Sequence, residues 1–164
     1  MKNKQFRKWA LAAEIVSAVA VVVTIAFLAF QMRDNTNAMQ AQTYQELMRD
    51  INNWRSSIRD AEWVLSGATL AEEIAGGSSA EIGLIRMTFL ELWGIYEAAF
   101  FAKERGVLGD NEWGRFEFMI CFQRNAAAAQ AFWEVEYAGV PPIKKALTPA
   151  FVEYADEYLD KQCD

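Results

Sequence analysis

Apolar residues follow this chain in runs and stripes of helical period, and the longest run lies near the N-terminus. From Trp9 to Met32, a single charged residue, Glu14, interrupts an otherwise apolar stretch of 24 residues. A helix of that length reaches about 36 Å, enough to cross the ~30 Å hydrocarbon core of a bilayer. The pattern therefore predicts one transmembrane helix over residues 9–32.

Helical periodicity continues beyond this run. One apolar stripe recurs at spacings of one, three or four residues and consists of Tyr44, Leu47, Met48, Ile51, Trp54 and Ile58. Further helices are predicted over about 80–105, 111–124, 126–137 and 148–159, and the first of these is apolar on almost every side. No alternation of strand period occurs. The predicted fold is all-α, with one N-terminal transmembrane helix that continues into a small four- to five-helix extramembrane domain.

Two residue types mark predicted helix ends. Gly106 follows a last turn that contains Lys103 and Arg105, which is the usual position of a terminating glycine. Thr148 followed by Pro149 is typical of a helix start, because proline suits the first helical position. These signals predict that the central helix ends near 105 and that the last helix begins near 148.

Charge is divided unevenly along the chain. Residues 1–32 carry four basic side chains and one acidic, whereas residues 33–164 carry 12 basic and 21 acidic. Basic residues next to a span stay on the cytoplasmic side. The prediction is a basic cytoplasmic N-terminus (1–8), a transmembrane helix (9–32) and an acidic helical domain (33–164) outside the cytoplasm. In a bacterium this is an inner-membrane protein with a periplasmic domain.

Aromatic residues flank the apolar run, Phe6 and Trp9 at one boundary and Phe27 and Phe30 near the other. Aromatic side chains at these depths are typical membrane-interface anchors. A cleaved signal peptide is the alternative interpretation, since it also has a basic start and an apolar core. The run is long for a signal peptide, and no small-x-small cleavage site precedes Arg33, so an uncleaved anchor is favoured.

Small residues form a narrow stripe along one side of the span. Its members recur at alternating spacings of three and four, and they are Ala10, Ala13, Ser17, Ala20 and Thr24. Such a stripe lets a second membrane helix approach closely, and Glu14 lies beside it. Two interpretations remain open: a docking surface for another membrane protein, or ordinary membrane-helix composition with Glu14 reaching the headgroups.

Composition argues against most catalysis. The chain contains no histidine, which excludes imidazole bases and imidazole metal ligands. It has no glycine-rich phosphate loop, dinucleotide fingerprint or nucleophile elbow. The acidic body lacks the clustered cations that nucleic-acid binding requires. We therefore expect no enzyme, no cofactor, no metal and no nucleic-acid partner.

Cys121 and Cys163 are the only cysteines. Outside the cytoplasm, such a pair indicates a disulfide that would clip the C-terminal tail to the helix over 111–124. A buried Cys121 with a free Cys163 is the alternative.

Two groups of residues outside the span are further candidates. Trp, Tyr and Phe together make up 13% of the chain, and any excess left exposed would mark a protein-contact patch. The set next to the Pro-Pro turn, Phe132, Trp133 and Tyr137, is the predicted partner patch. An apolar ligand pocket around Glu91, Tyr96 and Glu97 is the requirement of a different hypothesis.

Several segments together carry a family resemblance: EIVSAVAVVVTIAFLAFQ, NTNAMQAQTYQELMRDINNW, IYEAAFFAKERGVLGDNEWGRFEFMIC and LTPAFVEYADEYL. With its basic start, the chain resembles uncharacterised bacterial single-pass membrane proteins that carry a small helical domain of unknown function. The resemblance covers nearly the full chain. It implies a bacterial source and adds no catalytic residue.

The leading functional hypothesis is a non-enzymatic accessory or assembly subunit, whose partners are the lipid bilayer and another integral membrane protein. A membrane-anchored sensor or small-ligand-binding domain is the alternative. An enzyme that uses carboxylates is the weakest of the three hypotheses, because the six-residue separation of Glu91 and Glu97 puts them on different helix faces.

Overall fold

A computed structural model describes residues 2–59, 79–125, 132–134, 136, 141–158 and 163. The backbone of these residues is helical almost throughout, and no strand occurs among them. Helix α1 spans Lys2–Arg59, α2 spans Ser79–Glu104 and α3 spans Asp110–Asn125. A 3₁₀ turn follows at Ile143–Ala146, then α4 at Pro149–Glu153 and a π-helical turn at Tyr154–Tyr158. The predicted all-α fold is confirmed.

The chain divides into two compact units, residues 1–41 and 42–164. The first unit is the N-terminal part of α1. Within it, large apolar side chains from Trp9 to Met32 are exposed, and Trp9 keeps 73% of its surface accessible. Among the described residues, α1 is the one helix long and apolar enough to cross a membrane.

The second unit has its own hydrophobic core. Helix α2 supplies the largest share of it, with eight buried apolar side chains: Ile82, Ile85, Phe89, Leu92, Trp93, Tyr96, Ala99 and Phe100. This confirms that α2 is the central helix. It is not buried on every side, however, because Leu84 and Met87 are exposed.

Residues 42–59 of α1 pack against this core through the predicted apolar stripe. Leu47 and Ile51 are buried, while Tyr44, Met48 and Trp54 are half-buried. The indole Nε1 of Trp54 donates a hydrogen bond to the carbonyl oxygen of Thr88 at 2.7 Å. The 3.6-residue period therefore predicted this buried face correctly.

Helix α2 ends as its sequence predicts. Gly106 has φ +70°, a left-handed conformation that glycine adopts without steric cost. Its N–H donates to the carbonyl of Lys103 at 2.9 Å, and the N–H of Val107 donates to that of Ala102 at 2.8 Å. This is the hydrogen-bond pattern of a Schellman motif, in which the last helical carbonyls receive partners.

The C-terminal elements differ from the single helix predicted over 148–159. Pro149 does begin α4, but five residues later the backbone widens into a π turn. Thr148 makes no side-chain cap. Its backbone N–H instead donates to Oε1 of Glu97 at 2.6 Å, which ties the start of α4 to α2.

Candidate functional site

The first candidate surface is the apolar part of α1. Trp9, Phe27 and Phe30, three of the four predicted interface anchors, have exposed side chains. Phe6 lies in α1, and its side chain is outside the described part of the chain. Exposed apolar surface of this extent is a mark of a membrane or protein contact.

The small-residue stripe lies on this helix and is exposed along its length. Ala10, Ala13, Ser17 and Ala20 carry no side chain larger than a hydroxymethyl group, and Glu14 beside them is exposed as well. Thr24 donates its hydroxyl to the carbonyl of Ala20 at 2.8 Å. The hydroxyl of Thr24 is therefore satisfied within its own helix, so its contribution to docking would be its small size rather than a hydrogen bond.

The second candidate surface is an apolar groove in the second unit. It has a volume of about 390 Å³. Its lining comes from the end of α1, the middle of α2 and the second half of α3, and consists of Ile51, Trp54, Arg55, Leu92, Tyr96, Phe118, Met119, Phe122 and Gln123. Concave sites of this size and apolar character are typical of small-molecule binding.

Two exposed phenylalanines form the α3 wall of this groove. Phe118 and Phe122 are 71% and 67% exposed, although both belong to a helix whose other face is fully buried. Sequence analysis did not identify them. The signal was present, because Trp113, Phe116 and Ile120 set the inward register of α3 at spacings of three and four. Phe118 and Phe122 fall outside this register and share the opposite side.

Among the lining residues that the structure describes, Arg55 is the one that carries a charge. Its side chain is exposed, and its Nη2 lies 3.9 Å from Sδ of Met119. No carboxylate of the described residues lies within ion-pair distance of its guanidinium. The groove therefore carries one cation that has no anionic partner in this part of the chain.

Tyr96 adds a hydroxyl to the lining. Burial raises the pKa of Tyr96 well above its usual value, and the nearby positive charge of Arg55 partly offsets this increase. The phenol therefore stays protonated at every physiological pH and remains a hydrogen-bond donor. The side chain is 2% exposed and packs edge-to-face against Trp93, with ring centroids 5.7 Å apart.

Glu91, Tyr96 and Glu97, around which the alternative hypothesis requires a ligand pocket, do not line one pocket together. Tyr96 lines the groove described above, whereas Glu91 lines a shallower depression of about 260 Å³ beside Asp50 and Ile95. Glu97 lines neither and accepts the hydrogen bond from Thr148. The reason is helical geometry, because these three positions of α2 diverge around the helix axis.

The predicted partner patch is also wrong for its two described members. Phe132 and Trp133 are buried, 2% and 0% exposed. Trp133 packs on Trp93 with ring centroids 4.4 Å apart, and its Nε1 donates to Oδ1 of Asp156 at 2.7 Å. Their large apolar surfaces complete the core instead of facing solvent. Tyr137 lies outside the described residues.

Cys121 and Cys163 are joined by a disulfide, with Cα atoms 5.4 Å apart. The bond attaches Cys163 to α3, one residue before Phe122. Of the two arrangements that the sequence left open, the structure has the bonded one. Both cysteines pack against the edge of the core and are half-buried.

Chemistry beyond these surfaces is sparse in the described part of the chain. No three acidic or cysteine side chains come together there as metal ligands. Comparison of the whole chain with protein-family models, curated proteins and solved structures finds no match. Function is therefore inferred from the exposed helix and from the groove.

Proposed function

We propose that this protein is a non-enzymatic, single-pass membrane protein that acts as an accessory or assembly subunit of a larger membrane complex. The observation that carries the proposal is the apolar part of α1, whose large side chains are exposed while the second unit has a hydrophobic core of its own. A stretch of this length and apolarity needs lipid, or another membrane protein, around it.

The proposed location is a bacterial inner membrane, with residues 1–8 in the cytoplasm and residues 33–164 in the periplasm. Four basic residues precede the span, and Arg33 follows it beside Asp34. This asymmetry supports the orientation by the positive-inside rule. The Cys121–Cys163 disulfide also supports it, because such bonds persist in the periplasm and are rare in the cytoplasm.

Reporter fusions test the orientation. A periplasmic C-terminus predicts that alkaline phosphatase fused after Asp164 is active and that green fluorescent protein exported there stays dark. Protease added to spheroplasts should degrade the second unit, with a cytoplasmic protein as the control for membrane integrity. Fluorescent, protease-resistant fusions would place the domain in the cytoplasm and contradict the proposal.

The small-residue stripe is the proposed docking face. We expect Ala13→Leu with Ser17→Leu to reduce recovery of a co-purifying membrane protein about tenfold, since the larger side chains would prevent the close approach of a second helix. The measurement is a mild-detergent pull-down from native membranes, quantified by mass spectrometry.

Val19→Leu with Val22→Leu is the matched control, because these valines lie on the other side of α1. It should leave recovery unchanged. Equal recovery with the stripe variant and the wild type, or a protein that migrates alone, would argue against the subunit function.

A ligand-binding domain is the second proposed function, and the groove is the observation that favours it. Its lining is apolar, with one cation and few other polar groups, as in many small-molecule sites. The two functions are compatible in one chain.

A further inference from the structure

The shape of the groove on the second unit limits what it can hold. Its volume is about 390 Å³, and nine of the residues that the structure describes line it. A stable protein interface involves about 20–30 residues on each side, whereas small-molecule sites begin at about 300 Å³. The dimensions therefore favour a small ligand over a protein partner.

The lining specifies an elongated apolar ligand. Leu92 and Ile51 are buried residues of the groove, and the exposed rings of Phe118 and Phe122 extend its wall on α3. These two rings are one helical turn apart, so together they offer a continuous apolar strip to a bound chain. The indole N–H of Trp54 already donates to the carbonyl oxygen of Thr88, so it does not need a hydrogen-bond acceptor on the ligand.

Charge specifies the polar end of the ligand. The protein has a net charge of −6, yet the described lining of this groove contains a cation and no carboxylate. Arg55 is exposed, so its guanidinium reaches solvent where the groove opens. A guanidinium pairs with a carboxylate through two parallel hydrogen bonds. The amide of Gln123 supplies a further hydrogen-bonding group in the same lining.

We propose that the groove binds a long-chain fatty acid, with its acyl chain along Phe118 and Phe122 and its carboxylate on Arg55. This inference rests on the proposed ligand-binding function of the groove. The binding site itself does not depend on docking to another subunit, and the pull-down above reports on docking separately.

Photolabelling with a diazirine-bearing palmitic acid tests the proposal on the full chain in phosphatidylcholine nanodiscs. Peptide mapping then separates label on residues 104–125 from label on residues 9–32. Label in the span reports partition into the bilayer and serves as an internal standard. We expect label on the α3 peptide that excess unlabelled palmitic acid displaces, while the span retains its label.

Two controls test recognition of the carboxylate. The methyl ester of the same probe should label the α3 peptide about tenfold less, and so should the acid on an Arg55→Gln variant, because a hydrogen bond between charged groups is lost. Arg59→Gln, one turn further along α1 and outside the groove, should label like the wild type. The methyl-ester arm uses the unaltered protein, so it is independent of any effect of substitution on folding.

Several results would overturn the proposal. One is label on the α3 peptide that excess palmitic acid does not displace. Another is equal labelling of this peptide by the acid and by its methyl ester. A third is a crosslink, formed in native membranes, from benzoylphenylalanine in place of Phe122 to another polypeptide or to a second copy of this chain. A crosslink from that position to a fatty acid would support the proposed binding site directly.

Discussion

Two tryptophans at the centre of the second unit differ in one hydrogen bond. Trp93 and Trp133 are both buried, and their rings pack 4.4 Å apart. The indole N–H of Trp133 donates to Asp156. That of Trp93 has no partner among the described residues, which is costly for a buried donor, at about 1–3 kcal/mol.

This difference predicts unequal effects of the same substitution. Trp133→Phe removes a satisfied donor and leaves Asp156 with one hydrogen bond fewer, whereas Trp93→Phe removes an unsatisfied one. We expect Trp133→Phe to lower the free energy of unfolding by about 1–2 kcal/mol more than Trp93→Phe. Urea unfolding in mild detergent, followed by near-ultraviolet circular dichroism, measures both. Equal losses would mean that the Asp156 hydrogen bond adds no net stability.

Sequence analysis separated buried from exposed aromatic residues only in part. Trp113, Phe116 and Ile120 recur at spacings of three and four, which is typical of one helix face, and all three are buried on the inward face of α3. Trp133 was predicted to be exposed, because it lies close to the Pro-Pro turn at 141–142. Its burial depends on a stacking partner 40 positions earlier in the chain, which no local pattern reveals.

At the scale of elements, the turn between α2 and α3 is held at both ends. The Schellman motif at Gly106 completes α2, and Asp110 begins α3. Lys103 forms an ion pair with Asp110 across the turn. A carboxylate in the first turn of a helix also interacts favourably with the helix dipole. The end of α2 was predicted from the sequence because the chemistry of a terminating glycine is local.

The ion pair predicts a contribution to stability that depends on pH. Its hydrogen bond and charge lower the pKa of Asp110 below the usual 3.8. The ionised form is therefore favoured by folding, so this contribution is present above pH ~4 and is lost as the pH falls through the lower folded pKa. We expect the stability difference between the wild type and Asp110→Asn to shrink as the pH is lowered from 6 to 2.

Glu104→Gln is the control for this titration, since it removes a neighbouring exposed carboxylate outside the ion pair. The stability difference between Glu104→Gln and the wild type should not shrink in the same way as the pH is lowered from 6 to 2. An Asp110→Asn difference that stays constant over this range would contradict the assigned role of the carboxylate.

At the scale of the whole molecule, the disulfide links chain positions that are far apart. It joins residues separated by 42 positions, and a crosslink of that span removes entropy mainly from the unfolded chain. We expect Cys121→Ser to lower the free energy of unfolding by roughly 3–4 kcal/mol. Chemical denaturation of the non-reduced protein measures this loss, and a free-thiol count on the wild type should find no thiol.

Cys163→Ser and the double variant are the controls for the crosslink. Each removes the same bond, so all three variants should lose the same stability within error. A larger loss for Cys121→Ser alone would indicate that packing of the half-buried residue 121, rather than the crosslink, accounts for its effect.

The sequence alone determined the helical fold class, the membrane-length apolar stretch of α1 and the C-terminal end of α2, because each depends on hydrophobic period or on capping by near neighbours. Tertiary structure alone decided that Trp133 is core, that Glu91, Tyr96 and Glu97 separate, and that Arg55 meets Phe118 and Phe122 in one groove. These arrangements join helices distant along the chain. Their formation depends on which faces pack together, and a single helix's pattern does not specify its neighbours.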